Sequence, residues 1–501
     1  MNLLRNLNAE SFKRNATFLF FLLCTLCIMY PENINDLFYY DDNPIRYMIA
    51  KSWVEGKLSE QEKKFFLAYG SSEIYIPFFY IARVLKVDYE LAYNLSSILI
   101  LILSLLWIFY SLPKDFKDIY IIFPFLCLFA IVCLTKGSMH WLVVSSVLLN
   151  IICSREVKPI HYIAMGISYI ISPPLVVISG MLFLIFLFRG DRKKAFLFVI
   201  PFLFSIPKFI IVSEITLEEV KKTLNMAHQI GRQIVGETHS FAPPVPSVFI
   251  RPFKADYFEN PLLPGVIIYL TFIRSIFTRD KFAVFVFLSF YVFIFVSILI
   301  FELWIKGYNI PDIVVSMLSF FFTSNPFRFA PMALAYLIIN SENKSYDKVL
   351  GLIVVTAIVL ASVQSVASKQ GELPRKIPEE IKSFIRFLNE IDHKRILVEG
   401  DVHFIENGKL VHPLYNSHII SYIVAEVNNK EFYGGVFPWQ LYKYNFFFGK
   451  FNSKPLQESD ILDFIIKNRI EAVICWSDQC TDFFSKDKIF HFGKFKFINL
   501  K

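Results

Sequence analysis

Charge is scarce in this chain: Asp, Glu, Lys and Arg supply 19% of its 501 residues, against about a quarter in ordinary soluble domains. Several enzyme signatures are missing as well. There is no GxGxxG, no Walker P-loop, no HExxH and no GxSxG, which removes the glycine-cradled phosphate sites, the zincin helix and the serine elbow. The formal net charge of +8 is modest, and its Lys and Arg sit in short loops and form no basic stripe, so no nucleic-acid partner is indicated. Lys13 and Arg14 precede an apolar run at 15–30, but no A-x-A-like cleavage site lies before Pro31. That run therefore reads as an anchor and not as a removed signal. Internal repeats and low-complexity tracts are also missing.

What the chain has in abundance is apolar surface, with 55% hydrophobic residues and 56 Phe. The expected fold class is a polytopic α-helical membrane protein followed by a small α/β domain. Basic residues at 13–14, 114–117, 155–158, 189–194, 274–281 and 344–348 mark the cytoplasmic side. They require eleven crossings, at about 15–30, 91–110, 119–134, 141–153, 159–172, 175–188, 195–212, 264–278, 282–304, 327–340 and 349–366. The run at 313–322 is short and reads as a broken or re-entrant helix. The amino terminus is then cytoplasmic, residues 1–366 form the membrane domain, and residues 367–501 form an extracytoplasmic domain at the cell membrane.

Two long outer loops result, at 31–90 and 213–263. In the first, Asn43 and Pro44 open a helix whose Ile45, Met48, Ile49 and Trp53 make an apolar stripe ending near Gly56. That helix is expected on the outer membrane surface, with a second surface helix within 74–87. In the second loop, Thr216 and Glu219 make a capping-box pattern ahead of an apolar face, and FAPPVPSVFIRPF follows as irregular backbone. Beyond 370, PEEIKSFIRFLNEI, SHIISYIVAEV and ESDILDFIIKNRI read as helices, and RILVEG and EAVICW as strands. Five cysteines lie in or beside apolar runs and read as core residues, CTLC included. Cys475 and Cys480 are candidates for a disulfide if the tail lies outside the cytoplasm.

The acidic pair Asp41 and Asp42 opens the first outer loop. Asp42 lies four residues before Arg46, the spacing of a helix-end ion pair, while Asp41 has no obvious local partner. One reading is therefore a cap or surface charge. The other is a proton acceptor, because a carboxylate partly desolvated against a membrane face titrates closer to neutrality.

The stretch YYDDNPIRYMIAKSWVEGKL, followed by YGSSEIYIPFFYIARVL, resembles the GT-C superfamily of integral-membrane glycosyltransferases. The likeness covers residues 15–110 by motif and the rest to 366 by layout alone. It implies a first-loop general base, Asp41 by preference and Asp42 as the fallback. That base deprotonates an acceptor hydroxyl, which attacks a sugar carried on a polyprenyl phosphate. The implied partners are the lipid-linked donor, membrane lipid, and a glycan, lipid or protein acceptor.

The leaving phosphate calls for cations. Arg328, Lys136 and His140 are candidates near the outer interface, against a reading as headgroup anchors. Tyr40, Glu73, His228, Arg232, His239, Arg251 and Lys254 are candidates for holding donor or acceptor, Glu73 also as a second acid. The second outer loop is basic where a metal-dependent oligosaccharyltransferase would be acidic, which favours an inverting, metal-independent transferase with no cofactor. His228 and His239 lack ligand spacing, and a divalent metal is not indicated. Two rival readings remain: a transporter or flippase for a lipid-linked glycan, and a non-catalytic membrane assembly protein.

Overall fold

The structure is a computed structural model. It describes residues 12–20, 22–23, 25–26, 43–69, 72–112, 126, 130, 133–134, 139–154, 156–172, 175–208, 210–211, 296, 299–300, 303, 308–311, 377–399, 405–406, 409–410, 419–434, 446–447, 450–451, 454–455, 457–484 and 488–500. The spans expected at 264–278, 327–340 and 349–366, the break at 313–322 and the loop at 213–263 lie outside these residues. Those expected at 15–30, 119–134 and 282–304 are covered only in part.

From residue 43 to 197 the described chain is helical: α1 Asn43–Val54, α2 Glu60–Tyr69, α3 Ile76–Leu85, α4 Tyr89–Ser111, α5 Met139–Cys153, α6 Pro159–Ile171, α7 Leu175–Phe188 and α8 Arg192–Leu197. Among the described residues one helix, α4, is long and apolar enough to cross a membrane. Its 23 residues reach about 35 Å, against a hydrocarbon layer of about 30 Å. The apolar helices α5, α6 and the 178–188 part of α7 are shorter.

Two of these helices carry their polarity inside out. α4 turns Leu95, Leu99, Leu103, Trp107 and Tyr110 outward and buries Asn94, Ser96, Ser97 and Ser104. α6 exposes Ile160, Ile163, Ile167 and Ile170 and buries His161 and Ser168. Each outward set follows the spacing of three and four that makes one helix face, and water would select the opposite arrangement.

The two ends of this bundle differ in chemistry. At one end Arg14 donates to the carbonyls of Phe109 and Leu112 at 3.0 and 3.1 Å, so a cation closes the carboxyl end of α4. Lys194 donates to the Ile152 carbonyl at 3.2 Å, and Asn150 to the Ser111 hydroxyl. The other end of α4 carries Asp88, whose side chain caps the helix through Glu90 N and Leu91 N.

Two expectations are corrected here. α1 does not lie on a surface, because every residue but Trp53 is buried. α3, α4 and the 3-10 turn Ser72–Ile74 cover it from one direction and a helix of the tail from another. The helix ends as the sequence suggests: Lys57 N reaches Ser52 O at 2.9 Å and Gly56 N reaches Trp53 O at 3.2 Å. Gly56 takes the left-handed conformation, φ +73°, that this closure requires. Second, the span expected over 195–212 is not one α-helix. α8 stops at Leu197 and a 3-10 segment, Ile200–Ser205, follows, because Pro201 has no N–H to continue the ladder. α3 does show an outward apolar side, with Tyr80, Ile81, Val84 and Leu85 exposed and Phe79 and Ala82 buried.

The tail builds a five-stranded sheet from β1 Arg395–Val398, β2 Glu431–Tyr433, β3 Ala472–Cys475, β4 Lys488–Phe492 and β5 Phe495–Asn499, in the order β2-β1-β3-β5-β4. β1 runs parallel to β2 and β3, and the β4–β5 hairpin adds antiparallel. Its helices are α9 Glu379–Glu390, α10 Ile419–Glu426, α11 Glu458–Asn468 and α12 Asp478–Phe483. Short ladders at 405–410 and 446–455 stand outside the sheet. Side chains alternate between two cores: Ile396, Val398 and Ile474 on one face, Leu397, Val473 and Cys475 on the other. This alternation follows from the period-two geometry of a strand whose two faces are both covered. On the first face α9 buries Ile381, Phe384, Ile385 and Leu388. That core continues through α10 into α1 and α4, so the tail and the helical body share one apolar interior.

Candidate active site

The described residues that follow the acid pair in sequence form the head of α1. Asn43 is fully buried. Its Nδ2 donates to the Leu134 carbonyl at 3.1 Å, and its Oδ1 accepts the Tyr93 hydroxyl at 2.7 Å. The sequence expectation made Asn43 a local helix cap; the structure uses its side chain to join three segments distant in sequence. Around it, the Tyr93 ring stacks on Tyr75 at 4.5 Å, and Ser97 donates to the Tyr75 hydroxyl at 3.4 Å. Burial holds the Tyr75 phenol protonated, above its ordinary range. Arg46 is 4% exposed and bears electrostatically on that phenol.

Further along α1, Glu426 Oε1 of α10 receives the Tyr47 hydroxyl at 2.6 Å and the Lys51 ammonium at 2.7 Å. Desolvation, and then the Glu426 charge, push the Tyr47 phenol well above its ordinary value and keep it a donor. Tyr422 of the same tail helix donates to Glu90 Oε1 at 2.6 Å, and its phenol is likewise raised, by burial first and by the Glu90 and Glu426 carboxylates next.

Of the residues picked from sequence, two fall within the described chain. His140 is buried at the first turn of α5, its ring 4.9 Å from that of Trp141. Glu73 pairs with Lys208, which also reaches the Ile170 carbonyl; the other carboxylate oxygen of Glu73 is buried without a hydrogen bond. Tyr40, Asp41, Asp42, Lys136, His228, Arg232, His239, Arg251, Lys254 and Arg328 lie outside the described residues.

Sequence reading missed Tyr47, Lys51, Tyr93, Tyr422 and Glu426. A signal for the first two was present, since Asn43, Tyr47 and Lys51 recur every fourth residue, the spacing of one helix face. Nothing local marks their partners, which stand 50 and 379 positions from them.

A second cluster lies in the tail, where Glu399, Cys475 and Cys480 bring potential ligand atoms within 4.8 Å of one another. Its chemistry does not suit a metal. The two cysteines are joined in a disulfide, their Cα atoms 5.7 Å apart. Glu399 accepts Trp476 N at 2.8 Å, Ser477 N at 2.9 Å and the Ser477 hydroxyl. The carboxylate is thus committed to the turn after β3.

Comparison of the chain with protein-family models, with curated proteins and with solved structures finds no match in any of the three.

Proposed function

We propose that this chain is an integral-membrane glycosyltransferase of GT-C type, with Asp41 as general base on the extracytoplasmic side. The Asn43 junction carries this reading. Asp42 is covalently joined to Asn43, and Lys136 stands two residues beyond Leu134. The bond from Asn43 to Leu134 joins the two segments whose neighbours in sequence are the acid pair and that lysine. Tyr93, the partner of Asn43, belongs to the end of α4 opposite the one closed by Arg14, and on this reading the Arg14 end is the cytoplasmic one. The apolar outward faces of α4 and α6 support the membrane setting, and a disulfide in the tail suits an oxidising compartment.

In the chemistry this reading implies, the acceptor hydroxyl gives its proton to Asp41 as its oxygen bonds to the anomeric carbon. The carbon–oxygen bond to the phosphate breaks on the opposite face, so the configuration inverts and polyprenyl phosphate departs. Lys136, His140 and Arg328 are the cations assigned to that leaving group. Asp42, at the helical spacing from buried Arg46, is the better candidate for a structural ion pair, which leaves Asp41 for the proton. No step calls for a metal.

The test is transfer from labelled undecaprenyl-phosphate hexoses, pentoses and N-acetylhexosamines to acceptors in host membranes. Asp41→Asn is expected to lower turnover by about 10²–10⁴-fold, the usual worth of a general base. Asp42→Asn is expected to lower the yield of folded protein more than turnover. Full activity in both variants would sink the mechanism. One observation favours the flippase reading: the Pro201 break lies close in sequence to Lys208, which forms an ion pair with Glu73. Donor movement across vesicles without sugar transfer would select it.

A further inference from the structure

We propose that the seam between α4 and the tail helix α10 is a proton-responsive contact, closed while Glu90 carries a proton and loosened when that carboxyl ionises. The residues that make it all lie within the described chain, and sugar transfer has no part in it.

Two carboxylates are set one helical turn apart along α10: Glu426 belongs to it, and Glu90 is bound to its Tyr422. Glu426 accepts the Lys51 ammonium at 2.7 Å and the Tyr47 hydroxyl at 2.6 Å, so a cation of α1 stands against its charge. Glu90, in the first turn of α4, accepts the Tyr422 hydroxyl at 2.6 Å. A neutral phenol donates to a carboxyl oxygen in either protonation state, so this tie itself does not require an ionised Glu90. The rest of the seam is apolar and closed. The Tyr422 ring lies 5.9 Å from that of Tyr47, and Ile420 and Ile423 of α10 belong to the core shared with α1. A negative charge on Glu90 is therefore placed in a desolvated contact, one turn from the charge of Glu426.

The groups that bear on Glu90 are Tyr422 and Glu426 of α10, Lys382 of α9, Asp88 of its own cap and Tyr47 of α1. The other helices packed on α4 carry Tyr80 and Arg83 on α3, and His140 and Cys153 on α5; Arg83 is turned to the Val54 carbonyl. Glu90 precedes the crossing at 91–110. Burial, with the Glu426 and Asp88 charges behind it, pushes its carboxyl from 4.5 up to about 7, against the Tyr422 hydroxyl and Lys382. The value in the closed seam lies above the open one, so the stabilisation is complete below 4.5 and is lost as pH rises through about 7. The phenols of Tyr47 and Tyr422, both raised, keep their protons throughout that window.

The test uses full-length protein in lipid nanodiscs between pH 5 and pH 8. Amide hydrogen exchange is followed over 419–426 and corrected for the intrinsic pH dependence of exchange, with strand 472–475 as the internal reference. In the parent, protection over 419–426 should fall on the order of 10–100-fold, the linkage of a carboxyl moved from 4.5 to about 7, and level off above pH 7, while 472–475 stays protected. Glu90→Gln, which keeps the shape and the acceptor of the protonated acid, should hold the pH 5 protection of the parent up to pH 8. The histidines are common to both proteins, so their titration cancels in the comparison. Tyr422→Phe removes a donor that favours the ionised form and should move the levelling to higher pH.

The parent alone tests the sign: protection over 419–426 that is constant from pH 5 to pH 8, or that rises with pH, overturns the proposal whatever the variants do. An equal fall in Glu90→Gln overturns it too, because another group would then be the one that titrates. A fall shared by 472–475 overturns it as well, since the change would belong to the tail as a whole and not to the seam.

Discussion

Asn43 is held by two neutral hydrogen bonds in a fully buried setting, where an unpaired polar group is expensive. Tyr93→Phe removes one of them and leaves the Asn43 Oδ1 without that donor. We expect a loss of about 1–2 kcal/mol, read as a lower thermal midpoint in detergent. On the transferase reading, sugar transfer should fall with it, because the head of α1 loses an anchor. Tyr47 makes a pH-dependent contribution. Its phenol is raised above the ordinary value in the fold, so the native state holds the proton more tightly than the unfolded chain. The stabilisation is then fully present below the unfolded tyrosine value, about 10, and is lost as pH rises beyond it toward the folded value. Thermal midpoints of the parent and of Tyr47→Phe should therefore differ by a constant amount from pH 7 to 9 and converge above pH 10. A difference that grows with pH would contradict this assignment.

The tail's sheet depends on the turn that follows β3. Glu399, at the end of β1, receives three donors from Trp476 and Ser477, and Ser477 caps α12 through Cys480 N at 3.1 Å. The disulfide closes the same turn across a sequence separation of five. A loop that short is worth about 2 kcal/mol on chain entropy. Cys475→Ala/Cys480→Ala should cost the tail about that much, whereas Glu399→Ala, which strands buried donors, should cost more, roughly 3 kcal/mol. Limited proteolysis of the full-length protein, followed at cleavages within 377–500, is the measurement. Equal resistance in all three proteins would remove the turn as a determinant of tail stability. Elsewhere in the tail the helices at 379–390, 419–426 and 458–468 were legible from amphipathic spacing, and the strands at 395–398 and 472–475 from short β-branched runs. β2 and the β4–β5 hairpin were not read as strands. β2 is three residues long with no fully buried position, and the burial of β4 does not alternate cleanly, so both depend on pairing more than on local pattern.

The assembled molecule orders its chemistry along the axis of α4, with cations near Arg14 and Lys194 at one end and the contact between α1 and the tail at the other. If α4 crosses the membrane, Glu156 and the tail lie on opposite sides. Both Glu156 and Ile466 are exposed, so cysteines introduced there, in a background lacking the cysteines of the apolar runs, should report sidedness. An impermeant maleimide on intact cells is expected to label Ile466→Cys, and Glu156→Cys only after permeabilisation. Labelling of both before permeabilisation would end the topology and the transferase reading that depends on it. The shared core between sheet and helical body also predicts that the tail does not behave as an independent unit: expressed alone, residues 377–501 should expose the apolar face of α10 and aggregate.

Amino-acid order alone determined much of the local structure. Paucity of charge, repeated apolar runs and clustered loop cations pointed to a membrane-embedded helical body, and the position of the acid pair and the amphipathic helix after it were visible in one short stretch. Tertiary structure decided that this helix is enclosed and not laid on a surface. It also decided that Asn43 binds across the fold, and that Glu73 is paired with Lys208. The physical reason is that helix and strand periodicity arise from backbone geometry within a few residues. Burial of α1, by contrast, depends on a tail helix more than 370 positions away, whose contribution no local pattern records.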